Sequence, residues 1–381
     1  MTAPSAPRRA ASRVRLTQWD EVIVTETARQ LREETGGATL ALAFVSPDWR
    51  PHLKEFMEIL QVDGHARQVI GCSADGFIGT GQEDEDVSGF SVMFLNLAEE
   101  EVGTWVIDEH FQIPRDRPAT GAWLVLGNPL RLNAAALLED MNRIYPGVPV
   151  YGGLATGGWD SDTLFTFQHA AGVIDSAGVA VHLPVTVIQG IVSQGCQPIG
   201  EPYTITQVDK DVVLGVGGRR AYDVLVETFE NLPEDDQKVA RGNIMAGLAA
   251  SEYREDFQRG DFLVRNIIGG DPKTGALKIG AIPRVGQTIQ FQLREKDAAD
   301  EDLRLRSESL RVREGVPLAM VCFSCGGRGQ GLFGIPNHDA GILEDTFGPV
   351  PVAGFFCNGE FGPVAGVNFL HGYTASVAVI Y

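Results

Sequence analysis

The sequence contains no apolar run near the roughly 20 residues that a membrane-spanning helix needs, its longest apolar stretches being broken by Gly or a charge. It is short of basic residues. Lys and Arg number 31 against 50 Asp and Glu, a formal net charge of -19 that repels phosphate backbones and anionic headgroups, so neither nucleic acid nor a membrane is an expected partner. Cysteine is scarce and odd in number. Cys72, Cys196, Cys322, Cys325 and Cys357 argue against a disulfide framework and for reduced thiols in a cytoplasmic protein. The CxxC formed by Cys322 and Cys325 lacks a second Cys or His pair to complete a zinc site, and the odd spacing puts the two thiols on opposite faces of a strand. The run Glu83-Asp84-Glu85-Asp86 lacks the alternating oxygen ligands of a calcium loop and is expected as a solvated turn. Gly215 to Gly218 does not extend into a nucleotide fingerprint, so no metal or cofactor is expected. Met1 to Leu16 carries four arginines but no apolar stretch before a cleavage site, and is expected as a frayed tail rather than a secretory signal.

Glycine is what the chain has in excess. Forty-five glycines in 381 residues, without a collagen-like period, point to tight turns and close backbone approaches. Apolar residues at 44% supply a packed core, and the length suits two domains. A helix is expected over Glu21–Glu34, with Val24, Ala28 and Leu31 on one face and Gly36-Gly37 ending it. A β-α-β-β module then occurs three times. ATLALAFVSPD, HLKEFMEIL, RQVIGCSADGFIG and SGFSVMFLNL give strand, helix, strand into a Gly loop, and strand. GAWLVLGNPL, NAAALLEDMNRIYP, VPVYGGLATGGWD and SAGVAVHLPV repeat the order, with Asn133 as N-cap. PLAMVCFSCGGRG, HDAGILEDTFG, VPVAGFFCNGEFG and GYTASVAVIY repeat it again, aligning Gly71, Gly152 and Gly354. Between the second and third copies lie further strands, a DPKTG turn, a lobe junction near Val213 to Arg219, and a charged helix with Leu303 and Leu310 inward. The expected fold is α+β: repeated β-α-β-β modules forming mixed or antiparallel sheets flanked by helices, in two pseudo-equivalent lobes. The expected division is a tail over residues 1–20 and domains over 21–215 and 216–381.

The closing segments FSCGGRGQGLFG, PVAGFFCNGEFGP and FLHGYTASV resemble the C-terminal domain of the FIST family. VIGCSADGFIG, an acidic run, SVMFLNL and VYGGLATGG resemble its N-terminal domain, and the resemblance spans residues 36–381. It implies a sensory input module for a small-molecule ligand, with amino acids the suggested class. No kinase, cyclase, methyl-accepting or phosphodiesterase segment is recognised, so a signalling protein partner is expected to carry the output.

The expected ligand-facing residues are Ser73, Asp75 and Thr156 in the first two Gly loops, and Cys325, Arg328, Gly329, Cys357, Asn358, Gly359, Glu360 and His371 in the third copy. Arg328 can aim its guanidinium fork at a ligand carboxylate, or pair structurally with Glu360. The Asn358-Gly359-Glu360 segment offers an amide, exposed backbone and a carboxylate, or is a turn in which Gly359 takes positive φ. His371 either faces the ligand or bonds a backbone group. Cys325 or Cys357 with His371 as base would make a hydrolase or transferase, whereas a free Cys usually packs as a small hydrophobe. Three classes therefore stand side by side: a ligand sensor without catalytic residues, which leads, a protein-interaction adaptor, and a Cys-dependent enzyme. If the copies pack alike, the three Gly loops meet and a pocket between lobes can form.

Overall fold

The first strand of each repeat is buried on odd and even positions alike, with Cys325 at the end of the third copy's strand the one half-buried exception, so each must be covered on both faces. The computed structural model describes residues 9–98, 102–158, 160–170, 172, 175–184, 188–253 and 256–381, and shows what covers them. The first copy comprises β1 (Arg9–Leu16), α1 (Glu21–Thr35), β2 (Ala38–Val45), α2 (Leu53–Val62), β3 (Ala66–Ser73), the hairpin β4 (Gly76–Gly79) and β5 (Gln82–Glu85), and β6 (Gly89–Asn96). The second runs through β7 (Gly103–Ile107), β8 (Ala122–Gly127), α3 (Ala134–Ile144), β9 (Val150–Leu154), β10 (Thr166–Gln168) and β11 (Gly178–Leu183). After β12 (Ile188–Gln194) come β13 (Cys196–Pro198), β14 (Tyr203–Asp209), β15 (Val212–Val216), β16 (Arg219–Arg220), α4 (Ala221–Glu230) and α5 (Glu234–Ala240). They are followed by β17 (Ile244–Ala249), β18 (Phe262–Asp271), β19 (Ala276–Ile279), β20 (Thr288–Arg294) and α6 (Lys296–Glu314). The third copy holds β21 (Ala319–Cys325), α7 (Gly329–Phe333), α8 (His338–Phe347), β22 (Val352–Cys357), β23 (Glu360–Val364), β24 (Val367–His371) and β25 (Thr374–Ile380).

The architecture is α+β in two compact units. The expected two lobes are present but not equivalent: apart from His371–Tyr373, all three copies lie in one unit, and Ser193–Asp302 with His371–Tyr373 form the other. The chain passes between units at Val192 and again within α6, not near Val213 to Arg219, because β15 there is held between β14 and β19. In the second unit β20, β14, β15, β19, β18 and β17 pair in sequence, and β17 pairs back to β20, closing a six-stranded ring around Ile205, Val213, Leu277 and Phe291. The DPKTG turn joins β18 to β19, with Asp271 accepting from Lys273 N at 2.8 Å.

The first unit is built by exchange. Its sheets run β1-β6-β2-β3-β10, β7-β11-β8-β9-β23-β24 and β12-β25-β21-β22-β4-β5. Each copy thus supplies the same four strands in the same order and gives its Gly-loop strand to another copy: the first to the third, the third to the second, the second to the first. Gly71, Gly152 and Gly354 occupy one equivalent position, where a Cβ would stand 1.8, 1.8 and 1.9 Å from the carbonyl oxygens of Ala43, Val125 and Cys322 on the parallel neighbour. Only glycine fits so close a backbone approach.

The three sheets share one inner core. Leu42, Phe44, Leu124, Val181, Val321, Phe323 and Phe355 meet in it, and Phe44 lies 4.7 Å from Phe355. Each such buried side chain contributes about 1.5–3 kcal/mol. The outer faces are covered separately: α1 and α2 over the first sheet, α3 over the second, and α8 with Leu303 and Leu310 of α6 over the third. Capping follows the local sequence. Asp20 accepts from Val22 N and Ile23 N at the start of α1, Gly36 ends it at φ 78, and Asn133 caps α3. Arg9–Leu16, expected within a tail, instead pairs along its whole length with β6, because Ala11 and Val14 bury against the two cores and Arg15 reaches Gln30. Residues 1–8 of that segment lie outside the described residues.

Candidate functional site

Parallel pairing fixes where each copy's Gly loop emerges. β3, β9 and β22 end beside β2, β8 and β21, and the loops that follow are tied to one another by hydrogen bonds. Thr156 Oγ1 donates to Phe356 O at 2.8 Å and accepts from Asp75 N at 3.2 Å, while Thr156 N donates to Ser73 O at 3.2 Å. Asn358 Nδ2 donates to Ala155 O at 2.9 Å, and Gly359 O accepts from Leu154 N at 2.9 Å. Ser73, Asp75, Thr156, Asn358 and Gly359 therefore meet inside one unit. Ser73 Oγ accepts from Phe165 N at 3.2 Å, which makes it part of the framework.

Beside this junction the third copy buries charge. After Cys325 the chain turns back on Arg328 N→Cys325 O at 2.8 Å, and Gly329 at φ 52 opens α7. Arg328 is 1% exposed. Its Nε and Nη2 donate to Asp339 Oδ2 and Oδ1 at 2.7 and 2.8 Å, a bidentate pair on the first turn of α8. Ser324 Oγ donates to Asp339 Oδ2 at 3.0 Å, and His338 Nδ1 lies 3.0 Å from Oδ1. Phe333 lies under the guanidinium at 5.2 Å and stacks on His338. Burial alone would raise the Asp339 carboxyl, but Arg328 holds it well below the usual carboxylate range.

The fork is thus taken by Asp339 rather than by Glu360, and two polar atoms are left over. Arg328 Nη1 and Glu360 Oε1 are buried without a hydrogen-bond partner among the described residues. Glu360 Oε2 accepts from Thr374 N at 3.3 Å. Burial pushes the Glu360 carboxyl well up, opposed by that amide, by the charge of Arg328 and by a hydrogen bond from the Cys325 thiol. Nearer the surface, Cys325 is half-buried and Gly326 and Asn358 are exposed.

The acidic run is no solvated turn. Its first three residues lie in β5 and Asp86 follows in a bend at φ 54; two of the carboxylates cap the two helices of the third copy, Glu83 Oε1 accepting from Ala340 N at 2.8 Å and Glu85 Oε1 from Gln330 N at 2.7 Å. A Cβ on Gly329 would stand 2.5 Å from Glu85 Oε1. Burial, with Asp339 adding to it, pushes Glu83 up to about 8. Burial likewise raises the Cys322 and Cys357 thiols well above their ordinary value. His371 is buried and belongs to the second unit, apart from Arg328, Asn358 and Glu360 in the first.

Asp339, Ser324, His338, Glu83, Glu85 and Phe333 were not among the expected site residues. A signal existed for three of them: an acidic residue at a helix start, Asp339, and the acidic run holding Glu83 and Glu85 are capping chemistry.

The family model for the FIST N domain matches residues 39–219, and that for the FIST C domain matches 221–363. An uncharacterized protein of Mycobacterium tuberculosis is 36% identical over 93% of this chain and 94% of its own length. The chain belongs to the FIST family. Another FIST relative, an uncharacterized protein of Mycobacterium bovis, is 34% identical over 93% of this chain and 94% of its own. An F-box/LRR-repeat protein of Arabidopsis thaliana is 30% identical over 26% of this chain and 20% of its own length. FIST domains are associated with sensory signal transduction. Here the two family domains meet: β5 of the N domain caps α7, which follows Arg328, and α8, which carries Asp339, both in the C domain.

Proposed function

We propose that this FIST protein is a non-enzymatic sensory module that holds a small polar ligand, an amino acid, at the loop junction, with Arg328 and Glu360 as its charged contacts. One observation carries the reading: two buried polar atoms of opposite type, Arg328 Nη1 and Glu360 Oε1, stand unsatisfied in the same cluster. A buried orphan costs about 1–3 kcal/mol, which a ligand bonding to both would recover. A zwitterion supplies a carboxylate for the first and an ammonium for the second. Asn358, Cys325 and Gly326 form the accessible rim, and a protein partner would receive the signal. A thermal-shift screen of amino acids tests the proposal. At a hundredfold excess over its dissociation constant the ligand stabilises by about 2.7 kcal/mol, a shift of roughly 5–10 °C in a unit of this size. A blank screen moves the adaptor reading ahead.

A further inference from the structure

Cys325 and Cys357 are direct partners in the parallel ladder of β21 and β22. Strand alternation puts them on one face. Val321 and Phe323 of β21, and Ala353, Phe355 and Cys357 of β22, all face the inner core, so Cys325 continues the same side, whereas Cys322 faces the outer core. Neighbouring strands lie about 4.8 Å apart, inside the roughly 4.4–6.8 Å Cα separation that a disulfide spans. Of the five cysteines, Cys325 is the one that is not fully buried.

We propose that Cys325 and Cys357 are a modification site, a dithiol that a peroxide converts to a disulfide, and that this conversion regulates the ligand site. The chemistry balances in two steps. Peroxide oxidises the accessible Cys325 thiol to a sulfenic acid with release of one water; Cys357 sulfur then attacks that sulfur, the S–S bond forms, and the hydroxyl leaves with the thiol proton as a second water. Cys325 ends β21 three residues before Arg328, and Cys357 ends β22 three residues before Glu360, so a bridge between them ties together the two segments that carry the ligand contacts. The regulatory half rests on the ligand reading above: a bridge at the ends of the two strands resets the spacing between Arg328 and Glu360 that the ligand must span.

The test treats the full chain with hydrogen peroxide, blocks remaining thiols with N-ethylmaleimide and maps tryptic peptides without reduction. Trypsin cuts after Arg313 and Arg328, placing Cys322 and Cys325 in one peptide and Cys357 in the next. The expected product is a linked pair of these peptides that persists in Cys322→Ala, vanishes in Cys325→Ser and in Cys357→Ser, and is reversed by dithiothreitol. A Cys72–Cys357 link, or over-oxidised Cys325 beside an N-ethylmaleimide-labelled Cys357, would overturn the dithiol assignment. Mapping needs no ligand, so it stands or falls apart from the amino-acid screen. For regulation, a ligand found in the screen should lose at least tenfold in affinity on oxidation and regain it on reduction; unchanged affinity of the linked protein overturns that half alone.

Discussion

Replacing Arg328 by Ala removes both hydrogen bonds to Asp339 and leaves a carboxylate with 2% side-chain exposure beside Ser324, His338 and the Glu83 carboxyl. Breaking a buried ion pair from one side costs about 3–5 kcal/mol, because the remaining charge is neither solvated nor paired. For a unit of this size that corresponds to a melting point lower by roughly 10 °C. Calorimetry or denaturant titration reads the loss, and Asp339→Asn should lose a comparable amount by stranding Arg328. The double variant Arg328→Met with Asp339→Leu should regain most of it, since apolar residues of similar volume replace buried pairs without large cost. The recovered double variant should still fail to bind the ligand. A single Arg328→Ala variant within about 1 kcal/mol of the parent would refute the claim that the pair is desolvated and mutually dependent.

Acid and base should act on this cluster in opposite senses. Asp339 is depressed when folded, so its stabilisation is complete above the unfolded carboxyl value and lost as pH falls below it; Glu83, raised to about 8, favours the folded state at low pH and loses that contribution as pH rises from about 4.5 towards 8. Glu83→Gln should therefore flatten the decline in stability over that range by up to about 1.4 kcal/mol per pH unit; an unchanged slope would remove Glu83 as its source. Gly152→Ala should be severely destabilising, by more than about 3 kcal/mol, because its Cβ would stand 1.8 Å from Val125 O. Gly147→Ala, where a Cβ meets nothing within 4 Å but φ is +80, should cost only about 1 kcal/mol; similar unfolding midpoints for the two would contradict the close-approach account.

The triplicated module was legible because burial on both faces leaves uninterrupted apolar runs, and because Gly71, Gly152 and Gly354 answer one steric demand. The exchange of loop strands was not, since a short segment such as β4 carries nothing that names the sheet it joins. The same holds for β1, whose three arginines hide two inward-facing apolar residues, Ala11 and Val14. Arg328 and Glu360 stood out through their glycine-rich setting, but Asp339 lay in a helix start whose sequence fits a surface cap equally well. What distinguishes it is burial, and burial comes from β5 arriving out of the N domain, a contact between residues more than two hundred and fifty positions apart. The compact units do not follow the division read at 215/216, which lies beside the boundary of the two family matches at 219/221, because the Gly-rich stretch at 215–218 continues a strand held inside a closed ring.

The most direct test of the ligand site is a calorimetric titration of the best-stabilising amino acid into the parent protein and into Glu360→Gln. Gln keeps the shape and the acceptor for Thr374 N but cannot become the anion that an ammonium selects. Losing one charge-assisted hydrogen bond of about 1.5–3 kcal/mol predicts affinity weaker by roughly tenfold to a hundredfold, with the unliganded variant as stable as the parent or more so. Equal affinity in the two proteins would contradict the account and place the ligand, and the sensor's chemistry, elsewhere.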